Sequence, residues 1–434
     1  MILEMFQFYK LACGPDSSKW QKEWHKLAHV CRRWRTIIFA SQHGLDLRLL
    51  CTPKTSIEMT LDLWPTFPIV VQYAYGSLSP DDRDNITTVL QQNDRICEID
   101  LDLYHPLSEN ESRIMQETFP LLECLTLCSW QGENLVLPDT FLNGSAPHLS
   151  ALHLYGIDFP ALPQFLSSAS DLVDLLLHRI PSTGSLSSEA LARGLSAAPR
   201  LKTLSLKITP ATTHPNPRNT PPSSSGHLIL SALINLTLEG PCHYLEDLLS
   251  RTSAPSLERA TIQFVVDQPS FDISRLAQFL CRVESQRSPD AAQVILNLPD
   301  TFVYLSPSGA EALSASLPNT SSEWLSLDLT FQAPFELFQM NQICQQLSPF
   351  LSGVRALDIN TAYCQLDNNL LWEIFHSFSR VERLYVSGIS APKIASALQF
   401  DSAIMATNVL PALREFTLDP GMDDLTSFSL RYEW

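Results

Sequence analysis

The spacing apolar-x-x-apolar-x-apolar, often entered through Pro or Ser, recurs along this chain and limits its fold more than any other feature. It is clear in "RICEIDL", "PLLECLTL", "PHLSALHL", "SDLVDLLL", "PRLKTLSL", "SALINLTL" and "PSLERATI". It loosens through "AAQVILNL" and "SSEWLSLDL", then returns in "SGVRALDI", "SRVERLYV" and "PALREFTL". Each copy ends in strict alternation, as in Leu204, Ser205, Leu206, which is the signature of a short strand with one buried face.

The central apolar residues are Ile99, Leu125, Leu152, Leu175, Leu204, Leu236, Ala260, Leu296, Leu325, Leu357, Leu384 and Phe416, at steps of 23 to 36 residues. That range brackets and exceeds the roughly 20 to 29 residues of a leucine-rich repeat. Between copies lie segments of helical spacing, beginning at Ser187, Tyr244, Ile273, Gly309 and Asn368. A strand that returns parallel to its predecessor needs such a crossover, about a dozen residues long. The expectation is an α/β, leucine-rich-repeat-like solenoid of parallel strands with intervening helices, in which no repeat folds alone. The Asn or Cys that closes each turn of the leucine-rich consensus is replaced here by Trp130, Ile157, Ile180, Thr209 and Pro241. The turns are therefore expected to be satisfied differently from repeat to repeat.

At 434 residues the chain is too long for a single growing core, as a repeat array or several domains would require. The net charge of −17 opposes general binding to phosphate backbones, so nucleic acid is not an expected partner. The ten cysteines include no C-x-x-C, and "MILEMFQFYK" is not a secretory leader, so reduced thiols in cytoplasm or nucleus are expected. Apolar windows such as Leu337 to Val354 are broken by amides, Ser and Pro, and no membrane span is expected. The segment from Thr209 to His227, "TPATTHPNPRNTPPSSSGH", has no apolar period and reads as a loop inserted within one repeat.

The charge is uneven. Residues 1–35 hold seven Lys or Arg and three Asp or Glu, a balance of +4 that leaves −21 for the rest. On a helix, Trp20, Trp24, Leu27, Cys31, Trp34 and Ile38 fall on one stripe, with Lys22, Lys26, Arg33 and Arg35 off it. His25 and His29 lie one turn apart, but with Cys31 on the apolar stripe they lack a third ligand on their face. With the neighbouring apolar helix "ILEMFQFY", the stripe suggests a helical docking module; the alternative is a cap over the first repeat.

"ILEMFQFYK" followed by "WHKLAHVCRRWRTIIF" resembles the second half of an F-box domain, with its Val-Cys-x-x-Trp core. The next stretch, "LDLRLLCTPKTSIEMTLDLWPTFPIVV", is similar to the linker of F-box proteins of mushroom-forming fungi. The resemblance covers residues 1–72 and implies a substrate receptor of a cullin-type ubiquitin ligase, with this module docking a Skp-family adaptor and the repeats holding a protein target. By that analogy Leu3, Phe6, Trp24, Leu27, Val30, Cys31 and Trp34 form or support the adaptor interface. The Leu-Pro step and short helix that open an F-box have no counterpart here, so the module is expected to be N-terminally incomplete. The domain expectation is a helical module at 1–45, a linker and cap at 46–95, and irregular repeats at 96–434.

No phosphate loop, dinucleotide loop, zincin helix or nucleophile elbow occurs, and no catalytic, metal or cofactor residues are expected. The strand positions facing away from the core would line a target-binding surface: Glu98, Asp100, Asp102, His153, Tyr155, His178, Asp328, Asp358, Tyr385 and Glu415, with Asp419 beyond them. Their acidic character suits a target with a basic segment. Two readings remain: an adaptor that recruits a protein for ubiquitylation, and a recognition scaffold using the same repeats without any ligase.

Overall fold

The computed structural model describes residues 2–12, 17–41, 45–55, 60–61, 66–73, 80–103, 108–130, 135–181, 186–209, 227–265, 272–283, 291–296, 300–306, 326–332, 338–361, 375–388, 391, 394, 410–419 and 430–433. The chain is α/β and built on parallel strands joined by helices. It divides into two compact units, Met1–Leu176 and Leu177–Trp434, with the boundary inside the strand Asp174–Pro181. The inserted loop expected from Thr209 to His227 and the helical spacing at Gly309 lie outside the described residues, as does most of the segment from Asn368.

One local device precedes nine of the described strands. The N–H groups of Leu122, Leu149, Leu172, Leu201, Leu233, Leu257, Val354, Val381 and Leu413 each bond the carbonyl three residues earlier, at 3.1 to 3.4 Å. Five of these turns carry proline at the second position (Pro120, Pro147, Pro199, Pro255 and Pro411), where its fixed φ matches the turn. The first turn residue is buried each time, from Phe119 and Ala146 through Phe378 and Leu410. The Pro-apolar entry seen in the sequence is thus a β-turn anchored by an apolar plug at its start.

The strands then lock to their neighbours in a repeated way. One carbonyl accepts two successive N–H groups of the next copy: Glu123 from Ser150 and Ala151, Ser150 from Val173 and Asp174, Lys202 from Ile234 and Asn235, Ile234 from Glu258 and Arg259. Arg355 and Glu382 do the same for Glu382–Arg383 and Arg414–Glu415, and all twelve bonds lie between 2.7 and 3.1 Å. This regularity lies at the strand entrances, whereas the departures from the repeat consensus at Trp130, Ile157, Ile180, Thr209 and Pro241 lie at or past the strand ends. The main chain itself supplies this periodic link, because a carbonyl oxygen has two lone pairs and can accept two N–H groups.

In the first unit, helices α1 (Ile2–Ala12), α2 (Ser17–Ala28) and α3 (Arg32–Ala40) precede strands β1 (Leu49–Cys51) and β2 (Ile69–Tyr73). Helix α4 (Pro80–Leu90) leads to β3 (Ile96–Leu103), and α5 (Glu109–Ile114), with its capping box of Ser108 and Glu111, leads to β4 (Cys124–Ser129). Strand β5 (Leu135–Val136), β6 (Ala151–Tyr155), β7 (Ile157–Asp158) and helix α6 (Leu162–Leu166) follow. Strands β1, β2, β3, β4 and β6 pair in that order, all parallel. Register puts Ile99, Leu125 and Leu152 in one buried row and Leu101, Leu127 and Leu154 in the next. A second short ladder, β5 with β7, runs beside the first. Burying each Leu or Ile contributes about 1.5–3 kcal/mol, and in these rows every side chain needs the neighbouring copy to be covered.

The second unit follows the strand β8 (Asp174–Pro181) with helix α7 (Ser188–Leu195), β9 (Thr203–Thr209), β10 (Leu228–Ile229) and β11 (Asn235–Pro241). Next come helix α8 (Cys242–Arg251), β12 (Thr252–Ser253), β13 (Arg259–Val265) and helix α9 (Ser274–Val283). Strands β14 (Ala291–Leu296), β15 (Asp300–Ser306) and β16 (Ser326–Gln332) precede helices α10 (Phe338–Gln346) and α11 (Ser348–Leu351), with β17 (Ala356–Thr361), β18 (Arg383–Gly388), β19 (Glu415–Asp419) and β20 (Leu430–Glu433) last. Its core row holds Leu204, Leu236 and Ala260 in register, and Leu357, Leu384 and Phe416 likewise.

Two copies are placed differently from the expectation. Strand β13 pairs not with β14 but with β16, and β14 and β15 form an antiparallel hairpin between β16 and β17. Only residues 297–299 separate the hairpin's strands, too few for a parallel crossover. Register gives the row residues as Ala292 and Leu327, not Leu296 and Leu325. Strand β20 also runs antiparallel, against β19.

Candidate functional site

The first candidate surface is the helical module. The single stripe expected through Cys31 is broken: His29 and Val30 make three-residue turns to Lys26 and Leu27, and Cys31 is extended. Cys31 is exposed and caps α3, its Sγ accepting the Trp34 N–H at 3.5 Å. Arg35 folds back so that its Nε–H donates to the Ala28 carbonyl at 3.0 Å, closing the end of α2. The sequence reading missed this break because the apolar spacing runs through it without interruption.

The seven residues suggested by the F-box resemblance separate into two sets. Phe6 and Trp24 are buried: Phe6 meets the edge of Trp34 at 5.0 Å between ring centres, and Trp24 packs on Phe67 at 5.4 Å. Leu27 and Trp34 are half-buried, while Leu3, Val30 and Cys31 face outward. Helix α1 adds three exposed apolar residues that sequence reasoning did not single out, Met5, Phe8 and Leu11, with Phe8 at 77% and Leu11 at 75% exposure. Lys26, Arg32, Arg33 and Arg35 are exposed on the same module. His25 and His29 stand edge to face at 6.4 Å, and burial followed by repulsion from His29 lowers the His25 pKa. Among the described residues no group of three His, Cys, Asp or Glu side chains could hold a metal ion.

The second surface is the polar face of the first unit's sheet, because alternation sends every second strand residue away from the core. Glu98, Asp100 and Asp102 form a file along β3; register aligns Asp100 with Gln72, Thr126 and His153, and Asp102 with Cys128 and Tyr155. The suggested residues Glu98, Asp100, Asp102, His153 and Tyr155 therefore share one face. Sequence reasoning missed the groups that complete it. Trp130, considered only as a departure from the repeat consensus, lies against Tyr155 at 4.5 Å between ring centres, and its indole N–H donates to Asp102 Oδ1 at 3.1 Å. Arg48 reaches Asp46 at 3.0 Å, Glu123 at 2.9 Å and Glu98 at 3.8 Å.

The electrostatics follow from this packing. Burial raises the pKa of Glu98 despite Arg48, and burial raises that of Asp100, with Asp102 adding to the shift and the Gln72 amide opposing it at 3.2 Å. Burial pushes the Cys128 thiol up to about 11, so no thiolate nucleophile is present there at neutral pH. The His153 pKa is lowered, chiefly by burial; its Nδ1 lies 3.4 Å from Thr126 Oγ1, and its Nε2 is enclosed without a hydrogen-bond partner. A neutral imidazole beside carboxylates offers no counter-charge. Nothing here forms a nucleophile–base–orienter set.

In the second unit the suggested residues are more mixed than an acidic face requires. His178 Nε2 lies 2.7 Å from Ser205 Oγ. Register aligns Asp328 with Thr261, Asp358 with Tyr385, and Glu415 with Arg383. Asp358 is buried at 8% exposure, as is Asp102 in the first unit, so neither is displayed to a target. Lys207 and Glu239, opposite each other in register, pair at 3.0 Å. In the second unit Arg259, Arg383 and Lys207 occupy outward positions beside the acidic ones, so that face is mixed in charge. The alternation of the sequence predicted which side each residue takes; the order of strands decided which charges meet.

No protein-family model matches the chain, and no curated protein matches it.

Proposed function

We propose that the protein is a non-catalytic adaptor: its helical module docks on a partner, and its strands stack as a leucine-rich-repeat-like solenoid whose polar face holds a protein target. The observation that carries this reading is the division of apolar residues in the module. Phe6, Trp24 and Trp34 consolidate the interior, while Leu3, Met5, Phe8, Leu11 and Val30 remain exposed on a segment that also presents Lys26, Arg32 and Arg33. Large apolar side chains left exposed on one small module are what an interaction surface requires. The repeated β-turn, doubly bonded carbonyl and buried aliphatic row support a solenoid, since each copy is completed by the next.

On the F-box resemblance, the partner is a Skp-family adaptor and the assembly a cullin-type ubiquitin ligase. An acidic adaptor would also be steered by the cationic helices. The test is co-purification of the full chain with a Skp-family adaptor and cullin scaffold, compared with the F8S/L11S variant. Both residues are exposed, so the variant keeps its fold; loss of capture supports the reading, and equal capture or none by either protein ends it. A scaffold without ligase role is the second reading, favoured by the burial of Phe6 and Trp24, which leaves two of the seven expected interface residues supporting the module from within.

A further inference from the structure

Asp46 stands between the last helix of the module and the first strand with a φ of +51°, in the left-handed region that few residues other than glycine, asparagine and aspartate adopt. A backbone outlier of this kind persists only where its surroundings hold it. Its carboxylate supplies such a hold: Oδ1 accepts from Arg48 Nε at 3.0 Å, and Oδ2 pairs with Lys10 of α1 at 3.5 Å. Burial alone would raise the Asp46 pKa, yet Arg48 and Lys10 keep it below the ordinary aspartate value, so both pairs are made by the charged group.

Arg48 carries the connection onward. Its Nη2 donates to Glu123 at 2.9 Å, while its Nη1 donates to Cys97 Sγ at 3.6 Å and lies 3.8 Å from Glu98. Arg48 immediately precedes β1, Cys97 and Glu98 lie near the start of β3, and Glu123 immediately precedes β4. The side chain thus runs across the entrances of strands that pair in the order β1, β2, β3, β4. Lys10, Asp46, Arg48 and Glu123 form one ionic strap from the first helix of the module to the turn before β4.

The strap differs in kind from the apolar seat beneath the module. Trp24 and Phe39 pack on Phe67 at 5.4 and 5.7 Å between ring centres. Apolar association is non-directional, so such a seat resists separation more than it resists tilting. Charge-assisted bonds are directional, and Arg48 is only 18% exposed, which limits their screening by water.

We propose that Asp46 and Arg48 are positioning residues whose strap locks the helical module at one angle on the first repeats, so that module and repeats of this unit move as one body. Breaking the strap loosens the module, while its aromatic seat and the repeats stay folded. The inference goes beyond the adaptor reading and does not depend on it, because it concerns how the module is carried and not what docks there.

The test is hydrogen exchange on the full chain for wild type, R48M, E123Q and D46G. R48M keeps the carbonyl that Trp24 requires, and E123Q changes a side chain that is 49% exposed. Exchange over residues 2–12 and 17–40 is expected to quicken at least about fivefold in R48M and less in E123Q, with residues 146–176 unchanged. Raising salt from about 0.05 to about 1 M should move wild type toward R48M and leave R48M where it is, since screening weakens an ionic strap and not an aromatic seat. D46G should also quicken exchange in the module, although it relieves the left-handed backbone. Slower exchange in D46G, equal exchange in wild type and R48M, or a salt response that R48M shares with wild type overturns the proposal. Should R48M loosen the whole unit, E123Q decides: quickening confined to the module supports the strap, and none overturns it.

Discussion

The indole N–H of Trp24 donates to the main-chain carbonyl of Arg48 at 2.9 Å, fastening the second helix to the residue that leads into the first strand. The same Arg48 carries its side chain to Glu98 and Glu123 on the third strand and the turn beyond it. One residue thus joins the helical module through its carbonyl and the acidic file through its guanidinium.

Replacing Trp24 by alanine should cost about 3–5 kcal/mol, the range for truncating a buried aromatic. Trp24→Phe keeps the contact with Phe67 but leaves the Arg48 carbonyl unpaired, for a loss of about 1–3 kcal/mol. Local hydrogen exchange over residues 17–51 reads both, and the alanine variant should show the larger loss of protection.

Gly156 has a φ of +66°, and a Cβ there would stand 2.4 Å from the Ser129 carbonyl oxygen. Gly144 has a similar φ of +70° with nothing within 4 Å of the added carbon. Gly144→Ala should therefore cost only the left-handed backbone penalty of about 1–2 kcal/mol, and Gly156→Ala clearly more, because the backbones of neighbouring copies must part. Denaturant midpoints of the two variants test the order; equal midpoints would refute it.

Glu246 is buried on helix α8, and its carboxylate oxygens accept the N–H groups of Arg275 at 2.9 Å and Leu276 at 3.0 Å at the start of helix α9. Burial pushes its pKa up to about 7, while these two bonds work the other way. The folded state then binds more protons than the unfolded chain between the ordinary glutamate value and about 7, so this group's contribution to stability falls as pH rises through that window. Denaturation followed from pH 4.5 to 8 should show a decline that is smaller in Glu246→Gln. An unchanged slope in the variant would remove Glu246 as the cause.

Asp247 accepts from Ser188 Oγ and pairs with Arg251 at 3.2 Å and Arg275 at 3.2 Å, joining helices α7, α8 and α9. Burial alone would raise its pKa, but Ser188 and the two arginines hold it below the usual carboxylate range. Its contribution is present at neutral pH and lost as pH falls through the depressed value. Asp247→Asn should lower stability at pH 7 and close much of that gap in acid, read from midpoints at the two pH values.

The polar face shows how far sequence reasoning reaches. Glu98, Asp100, Asp102, His153 and Tyr155 were placed on one side by alternation alone, since a strand sends successive side chains to opposite faces whatever its neighbours are. Trp130 escaped notice because it lies past the end of β4, where the period stops, and only its contacts with Asp102 and Tyr155 place it on that face. Cys31 was misplaced for the converse reason: apolar spacing cannot reveal that a helix ends when the next resumes nearly in phase.

The sequence by itself determined the repeated strands from Ile96–Leu103 to Arg259–Val265, their alternating sides and their parallel returns, because these depend on residue spacing over a few positions and on crossover length. Only the tertiary structure decided that the hairpin of β14 and β15 enters between β16 and β17, that one carbonyl serves two N–H groups at successive strands, and that Asp358 is buried while Trp130 is exposed. Those outcomes depend on which segments pair across long separations in the chain, where the competing arrangements bury similar apolar rows and differ mainly in how main-chain groups and charges are satisfied.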